Sequence, residues 1–427
     1  MQTKKLLNEL FHSALDAASP RKLIKQHCTL EGSILHIHED KYDLLAYERV
    51  FILGSGKASC RMAEALEELI GEYVHSGLVV APVCEKSLKK VECLVSDHPI
   101  PTERSIKGAE ALIEKVSSLH PNDLCIYLLS GGSSSLIEQP VEGITLDDFQ
   151  KTTDLMLKSA LKINEINAVR KHLSSIKGGR LGEYSKAKGI VLTVSDVIGD
   201  DLYSIGSAPL YADTSTYEEV LETLKRYKVF EQLPSSVQKV LIEGVEHIRL
   251  ETPKTPSPHI KHYLIGTNIL AREAVYKKAT DMGLEAKVIA EDIDSDVILA
   301  SQRMLDLALS SKERVIIFGG ETTVKVVGKG QGGRNQHCVL NMLRLTQEKG
   351  IEISFLSAGT DGIDGNSDAA GAYIDSTSFK QAQMEGLDIN FFLKENDSYH
   401  FFKRLDSLVM TGPTGTNVMD IAILIKE

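Results

Sequence analysis

A chain of 427 residues with 48 Lys+Arg against 59 Asp+Glu carries a formal net charge of −11. At roughly 100–200 residues per domain the length predicts two or three domains. A composition of 42% hydrophobic and 25% charged residues is ordinary for globular proteins and sufficient for more than one core. The acidic balance excludes nucleic acid and anionic membrane surfaces as principal partners, since both call for clustered Lys/Arg, and taken alone it disfavours a phosphorylated ligand.

The first residues read as an amphipathic helix. Leu6, Leu7, Leu10, Phe11, Ala14, Leu15 and Ala18 recur at helical spacing until Pro20 stops the run. Glu9 and Asp16 interrupt any apolar core segment and no cleavage pattern follows, which excludes a secretory leader. Apolar runs at 77–83 and 189–194 are strand-sized, far short of the ~20 residues that cross a bilayer. A cytoplasmic location without membrane contact is expected. The six cysteines (Cys28, Cys60, Cys84, Cys93, Cys125, Cys338) form no CxxC pair and sit mostly in apolar stretches, which predicts buried free thiols in a reducing compartment.

Farther along, 49–53 (RVFIL) leads through glycines into Met62, Ala63, Leu66, Leu69 and Ile70 at helical spacing. Further strands are expected at 77–83, 91–95, 124–129 and 189–194, apolar on both faces as suits a sheet covered by helices on each side. Then ETPKTPSPH, with Pro253, Pro256 and Pro258, removes backbone donors at a density that predicts a linker. Beyond it, 263–265, 286–290, 314–318, 324–327, 353–356 and a last strand at 421–425 repeat the pattern. Strands alternating with helices predict α/β layering with mainly parallel sheets. The domains would span 1–250 and 262–427, with 251–261 as linker and the last strand able to pair with either.

Glycine-rich turns gather at the C-terminal ends of these strands, where open α/β sheets bind ligands. Gly54-Ser55-Gly56-Lys57-Ala58-Ser59 opens a helix. Its glycines admit backbone N–H groups to an anion, the helix N-terminus adds about half a positive charge, and Lys57 adds a full one. It lacks the GxxxxGK[ST] spacing of a P-loop and the last glycine of GxGxxG, and a tight turn with a solvated lysine is the plainer alternative. Ser130-Gly131-Gly132-Ser133-Ser134-Ser135 offers more N–H and O–H donors than a capping turn needs, and suits carboxylate or phosphate oxygens. Ser195-Asp196-Val197-Ile198-Gly199-Asp200-Asp201 sets three carboxylates at a strand end. Those suit Mg²⁺ with phosphates and waters, a proton taken from an attacking hydroxyl, or plain helix capping. A basic island of Arg170, Lys171, His172, Lys177 and Arg180 fits substrate contact and an exposed helix face equally.

In the second segment Gly319-Gly320-Glu321-Thr322-Thr323 ends one strand, and Gly328-Lys329-Gly330-Gln331-Gly332-Gly333-Arg334-Asn335-Gln336 enters a helix. Glycine loses the most backbone entropy on folding, so this density marks function rather than packing. Arg334, beside Gly332, Gly333 and Asn335, has the shape to fork two hydrogen bonds to a carboxylate or phosphate. Two more loops follow, one with Thr360, Asp361 and Asp364, the other with Thr414 and Asn417. Such loops recurring across two α/β segments predict a polar, anion-binding cleft. No HExxH, clustered His/Cys or GxSxG occurs, which leaves zinc hydrolysis and serine esterase chemistry without a foothold. His98 and His172 are the histidines near glycine loops, and a structural role is the plainer reading of each.

Taken in order, GSGKAS, SGGSSSL, RKHLSSIKGGRL, SDVIGDD, GGETTV, GKGQGGRNQ, GTDGIDGNSDAAGA and GPTGTNVMDI resemble the glycerate 2-kinases with a C-terminal MOFRL domain, over nearly the whole chain. The resemblance implies ATP-dependent phosphorylation of D-glycerate to 2-phosphoglycerate with Mg²⁺. It implies two α/β/α layered domains, a larger Rossmann-like N-terminal one and a smaller C-terminal one, with the active site in the cleft between them. It makes Lys57 and Arg334 the catalytic pair, with Asp196 and Asp361 lining the same site. With the loops above, it points substrate and phosphate groups to Gly54, Ser55, Gly56, Ser130, Gly131, Gly132, Ser133, Ser134, Arg170, Lys177, Gly332, Gly333, Asn335, Thr360, Thr414 and Asn417. A metal would meet Asp196, Asp200 and Asp361. Ser133 stands where the family usually has a third glycine, Ala208 falls in a stretch that usually reads I-A-S-G-P, and His337 replaces a frequent glutamate. None of these removes Lys57, Arg334 or the aspartates.

By this resemblance the glycerate carboxylate lies on Arg334 or the serine loop, and Asp196, with Asp361 second, orients or deprotonates the 2-hydroxyl. Lys57 and Mg²⁺ neutralise charge on the transferred phosphoryl group, where such enzymes apply most of their catalysis. One rival is an NAD(P)H-dependent hydroxypyruvate reductase, against which the first glycine turn fails the dinucleotide fingerprint. Another is a non-catalytic phosphosugar-sensing module, usually joined to a DNA-binding segment that is not read here. Homo-oligomerisation is left open, and the 2-position rests on the resemblance.

Overall fold

The computed structural model describes residues 2–84 and 88–426. The chain divides into two units: one is Ile24–Ile265, and the other joins the residues up to Leu23 to those from Gly266 onward. This differs from the expected division at 251–261. The proline-rich stretch belongs to the larger unit, where Asp213 N–H donates to Pro253 O at 2.9 Å and the buried Thr252 hydroxyl donates to Asp213 Oδ2 at 3.1 Å. Prolines that lack donors still accept, and here they are built in rather than left as a tether.

The larger unit is centred on a six-stranded sheet in the order Val91–Val95, Val74–Ala81, Val50–Ser55, Leu124–Ser130, Lys188–Val194, Ile260–Gly266. The pairings from Val91–Val95 through Lys188–Val194 are parallel. Phe51, Leu53, Leu78, Val80, Tyr127 and Val191 share a core with helix Glu103–Ser117 on one face. The alternating Ile52, Val79, Ile126 and Ile190 are buried on the other, so each strand reads as a continuous apolar run. Helices Leu146–Leu157, Ile163–His172, Tyr217–Arg226 and Ser235–Val245 gather around a separate core of Phe149, Met156, Val169, Leu224 and Leu241. An antiparallel sheet of Cys28–Glu31, Ile34–Ile37 and Asp40–Asp43 precedes the main sheet; strands of four residues are too short for periodicity to reveal.

The smaller unit has a six-stranded sheet in the order Ala286–Val288, Val315–Gly320, Asp420–Lys426, Ile353–Gly359, Gly371–Ile374, Leu408–Val409. Only the first pair is parallel, which corrects the expectation of mainly parallel sheets. A loop without a helix joins Ile353–Gly359 to Gly371–Ile374, and a helix-free connection of that length returns a strand antiparallel. The last strand stays in this unit, between Val315–Gly320 and Ile353–Gly359. The stretch 324–327 is not a strand, and Val326 and Val327 are 68% and 70% exposed.

Helix Gln2–Ala17 also belongs here. Its stripe of Leu7, Leu10, Phe11 and Ala14 is fully buried, and the helix packs along Asn268–Asp281. Each large apolar side chain so buried contributes about 2 kcal/mol. The Thr416 hydroxyl donates to Ala18 O at 2.7 Å and fixes the end of the helix.

Cys84 and Cys93 are joined by a disulfide, which corrects the expectation of six free thiols; Cys28, Cys60, Cys125 and Cys338 are free and buried. The two cysteines stand nine residues apart, so no CxxC spacing marks the pair. Among the described residues no helix is long and apolar enough to cross a membrane.

Candidate active site

Two strand ends of the larger unit are locked to one another. Gly56 has φ +130°, and a Cβ there would overlap Ser130 Oγ. Gly56 N–H donates to Val80 O at 3.1 Å, Lys57 N–H to Gly131 O at 2.8 Å, and Ala58 N–H to Ser130 Oγ at 2.9 Å. The amides expected to face an anion are thus consumed in joining the loops. Ser55 Oγ, buried, lies 2.6 Å from Ser133 Oγ and 2.7 Å from Tyr127 Oη, while Gly54 is pressed against Leu128. Gly54, Ser55, Gly56, Ser130 and Ser133 therefore build the scaffold instead of offering donors to substrate.

Above that scaffold lie Gly131 and Gly132. A Cβ on Gly131 would overlap the carboxylate of the half-buried Asp196. At Gly132, with φ +80°, a Cβ would sit 3.1 Å from Lys57 Cγ, 3.0 Å from His98 Cδ2 and 3.3 Å from His98 Nε2. Three strand ends so bring a lysine stem, a carboxylate and an imidazole to two adjacent glycines. Lys57 and Asp196 were expected together; His98 was set aside as structural, although its place just beyond the strand Val91–Val95 was the available signal. Asp200 follows on the same turn as Asp196, with φ +56°. Among the described residues no three His, Cys, Asp or Glu side chains form a group able to hold a metal.

The basic island turns inward. Lys177 is buried against Glu138 and donates to Ile137 O at 3.3 Å, and burial pushes its amine down to about 8. Lys171 pairs with Asp213 at 3.2 Å, and His172 Nε2 lies 3.1 Å from Glu251 Oε2. Arg170 Nη2 donates to Ser134 O at 2.9 Å, bracing the serine loop from behind. Arg170 and Lys177, expected to touch substrate, support the loop instead, because a side chain this enclosed spends its donors on the protein.

In the smaller unit, Asp420 stands in register between Gly320 and Gly359. Arg334 Nε donates to Asp420 Oδ2 at 2.6 Å, Nη2 to Asp420 Oδ1 at 3.0 Å, and Nη1 pairs with Glu321 Oε1 at 2.8 Å. Burial opposes the guanidinium charge, but Asp420 and then Glu321 outweigh it and raise the Arg334 pKa. The fork expected for a ligand is closed on Asp420. The neighbouring helix N-terminus is also filled, because Asp364 accepts from Asn335 N–H at 3.0 Å and Gln336 N–H at 2.8 Å. Full burial, despite those N–H bonds, pushes Asp364 up to about 6. A Cβ on Gly333 would overlap Asp364, so this glycine serves the cap, whereas Gly332, with φ +137°, is pressed against Ser398 Oγ. Asn335 Oδ1 accepts from Ser357 Oγ at 2.6 Å.

Asp361 lies beside Asp420. A Cβ on Gly359 would sit 3.2 Å from Asp361 Oδ1 and 3.4 Å from Asp420 Oδ1. Thr360 is buried and bonds Met419 O at 2.7 Å, the Thr414 hydroxyl donates to Thr360 O at 2.6 Å, and Asn417 Oδ1 accepts from Met419 N–H at 3.1 Å. Thr360 and Thr414 knit the two loops together, and Asn417 bonds within its own loop. Sequence reasoning met Glu321 only as part of its glycine turn and did not single out Asp420, whose trace was a carboxylate opening the last apolar strand.

Two family models match the chain: one described as a domain of unknown function (DUF4147) over residues 6–242, and the MOFRL family over 314–420. The chain is 36% identical to a glycerate 2-kinase of Pyrococcus horikoshii, covering 100% of this chain and 98% of that one. A solved glycerate kinase from Thermotoga maritima matches with a TM-score of 0.85 and 36% identity, covering 100% of both chains. A putative hydroxypyruvate reductase of Agrobacterium vitis is 37% identical over 88% of this chain and 87% of its own. The chain belongs to the glycerate 2-kinase family with a C-terminal MOFRL domain.

Proposed function

We propose that this chain is a glycerate 2-kinase, transferring a phosphoryl group from ATP to the 2-hydroxyl of D-glycerate. The observation that carries the assignment is the meeting of Lys57 and Asp196 at Gly131 and Gly132, in a chain similar over its full length to glycerate 2-kinases. Asp196 accepts the proton of the 2-hydroxyl as that oxygen attacks the γ-phosphorus, and ADP leaves with the bridging electron pair. Lys57 neutralises the charge that builds on the transferred group. Arg334 has three of its five N–H groups engaged by Asp420 and Glu321 and turns the others to substrate oxygens. Asp361 is second to Asp196 as base.

Mg²⁺ suits the oxygen-only donors of Asp196 and Asp200. With no ready-built group of three ligands, the remaining positions would be water and phosphate oxygens, which is how this ion is usually held. When bound it supplies positive charge to the polyphosphate. The reaction is assigned to the cytoplasm, where ATP is maintained. Phosphorus NMR of the product from D-glycerate and ATP tests the reaction and its regiochemistry together: a 2-phosphoglycerate signal is expected, and 3-phosphoglycerate would correct the position. The relative named as a putative hydroxypyruvate reductase makes NADH with hydroxypyruvate the discriminating control. Turnover only in that assay would reject the kinase.

A further inference from the structure

The turn that carries His98 is anchored on both sides by other residues. Ser96 is buried, its N–H donates to Ala81 O at 3.0 Å, and its hydroxyl donates to Ser105 Oγ at 3.3 Å. Thr102 Oγ1 donates to Asp97 Oδ2 at 2.6 Å, and Gln150 Nε2 donates to Pro101 O at 2.6 Å. His98 itself is exposed, yet its ring lies over Gly132. Both His98 Cδ2 and Lys57 Cγ come within 3.1 Å of a single point, the place a Cβ on Gly132 would occupy. The imidazole and the lysine stem are therefore neighbours above a residue that has no side chain to separate them. Next to it, the Asp196 carboxylate covers Gly131. Neighbouring residues fix the turn, and the ring lies at the glycines that Lys57 and Asp196 also approach.

We propose that His98 is a substrate-contacting residue, whose imidazole donates a hydrogen bond to an anionic oxygen of the bound substrates beside the Lys57 ammonium. The acceptor is a carboxylate or phosphate oxygen, chemistry that D-glycerate and ATP both offer. The assignment deepens the kinase function and rests on it. The Nε2 atom is the nearer nitrogen to Gly132, so glutamine, whose amide nitrogen falls near that position, preserves the donor, and alanine removes it.

The test is steady-state kinetics of the full chain with D-glycerate and ATP, comparing wild type, His98→Ala and His98→Gln, with unfolding midpoints measured alongside. His98→Ala is expected to lower kcat/KM roughly 10- to 100-fold, the loss of one hydrogen bond to a charged group, with an unchanged midpoint. His98→Gln should recover most of it. A raised KM for glycerate puts the bond on the carboxylate, whereas a lowered kcat or a raised KM for ATP puts it on a phosphate. Unaltered constants in His98→Ala overturn the proposal, as does a loss that tracks a lowered midpoint and is not recovered by His98→Gln. If wild type makes no phosphoglycerate, the kinase assignment itself fails, and that result is separate from the variant series.

Discussion

Arg334 and Asp420 are joined by a two-point grip, Nε to Oδ2 at 2.6 Å and Nη2 to Oδ1 at 3.0 Å, across 86 residues of sequence. A planar guanidinium held this way is fixed in orientation as well as in place. Arg334→Ala should therefore lower kcat by about 10³-fold, the scale of an arginine that stabilises transferred charge. Asp420→Asn should lower kcat less and cost about 1–3 kcal/mol of stability, since one strong bond weakens while the arginine remains. Stopped-time assays and denaturant titrations of both variants measure the two effects separately.

Gly131→Ala offers a cleaner probe of Asp196 than removing the acid. The added Cβ must displace the carboxylate, while the backbone angles of Gly131 lie outside the range that demands glycine. Turnover should fall by at least ~100-fold, as for Asp196→Asn. Near-normal turnover in both variants would remove Asp196 from the mechanism.

Lys177 and Glu138 form a buried pair, and they should matter to folding alone. Replacing Lys177 by methionine strands the Glu138 charge and should cost about 3–5 kcal/mol, whereas adding Glu138→Leu should recover most of that loss. Specific activity per folded molecule should stay near wild type in the double variant. Denaturant midpoints and active-site-normalised rates distinguish this from a lysine that binds substrate.

Asp364 gives the smaller unit a defined response to pH. Its folded pKa of about 6 lies above the ordinary value of 3.8, so the native state holds the proton more tightly than the unfolded chain. Stability from this group is greatest below pH 3.8 and declines as pH rises to about 6, by up to roughly 3 kcal/mol. Urea titrations of wild type and Asp364→Asn across pH 4 to 7 should diverge by that trend, and parallel curves would show that the carboxyl is not perturbed.

The disulfide predicts a thiol count. Protein unfolded without reductant should show four reactive thiols, with the remaining pair appearing only after reduction. Six thiols before reduction would remove the bond.

The larger unit was legible because its strands are apolar on both faces and its glycine loops close them: Gly54, Gly56 and Gly131 stand where a side chain would collide, and Gly132 has φ +80°. Their purpose was less legible. Glycine density marks close approach, but it does not say whether a ligand or another loop is approaching, and at Gly56 and Gly333 the visitor is Ser130 or Asp364. Arg170 and Lys177 misled because a charged run looks alike whether it faces water or a buried partner, and Glu138 lies far away in sequence. Asp420 and His98 carried only faint marks, their places at strand ends, since each acquires meaning only from strands paired across long separations. The antiparallel order of the second sheet escaped for the same reason.

Helix Gln2–Ala17 packs on Asn268–Asp281, a segment made roughly 250 residues later. At about 5–20 residues per second, its apolar stripe waits on the order of 10–50 s for a native partner. The unit Ile24–Ile265 is contiguous and can close during that interval. Helix Gln2–Ala17 thus leaves the ribosome well before its packing partner, and the nascent chain must keep Leu7, Leu10 and Phe11 from other company until the second sheet arrives.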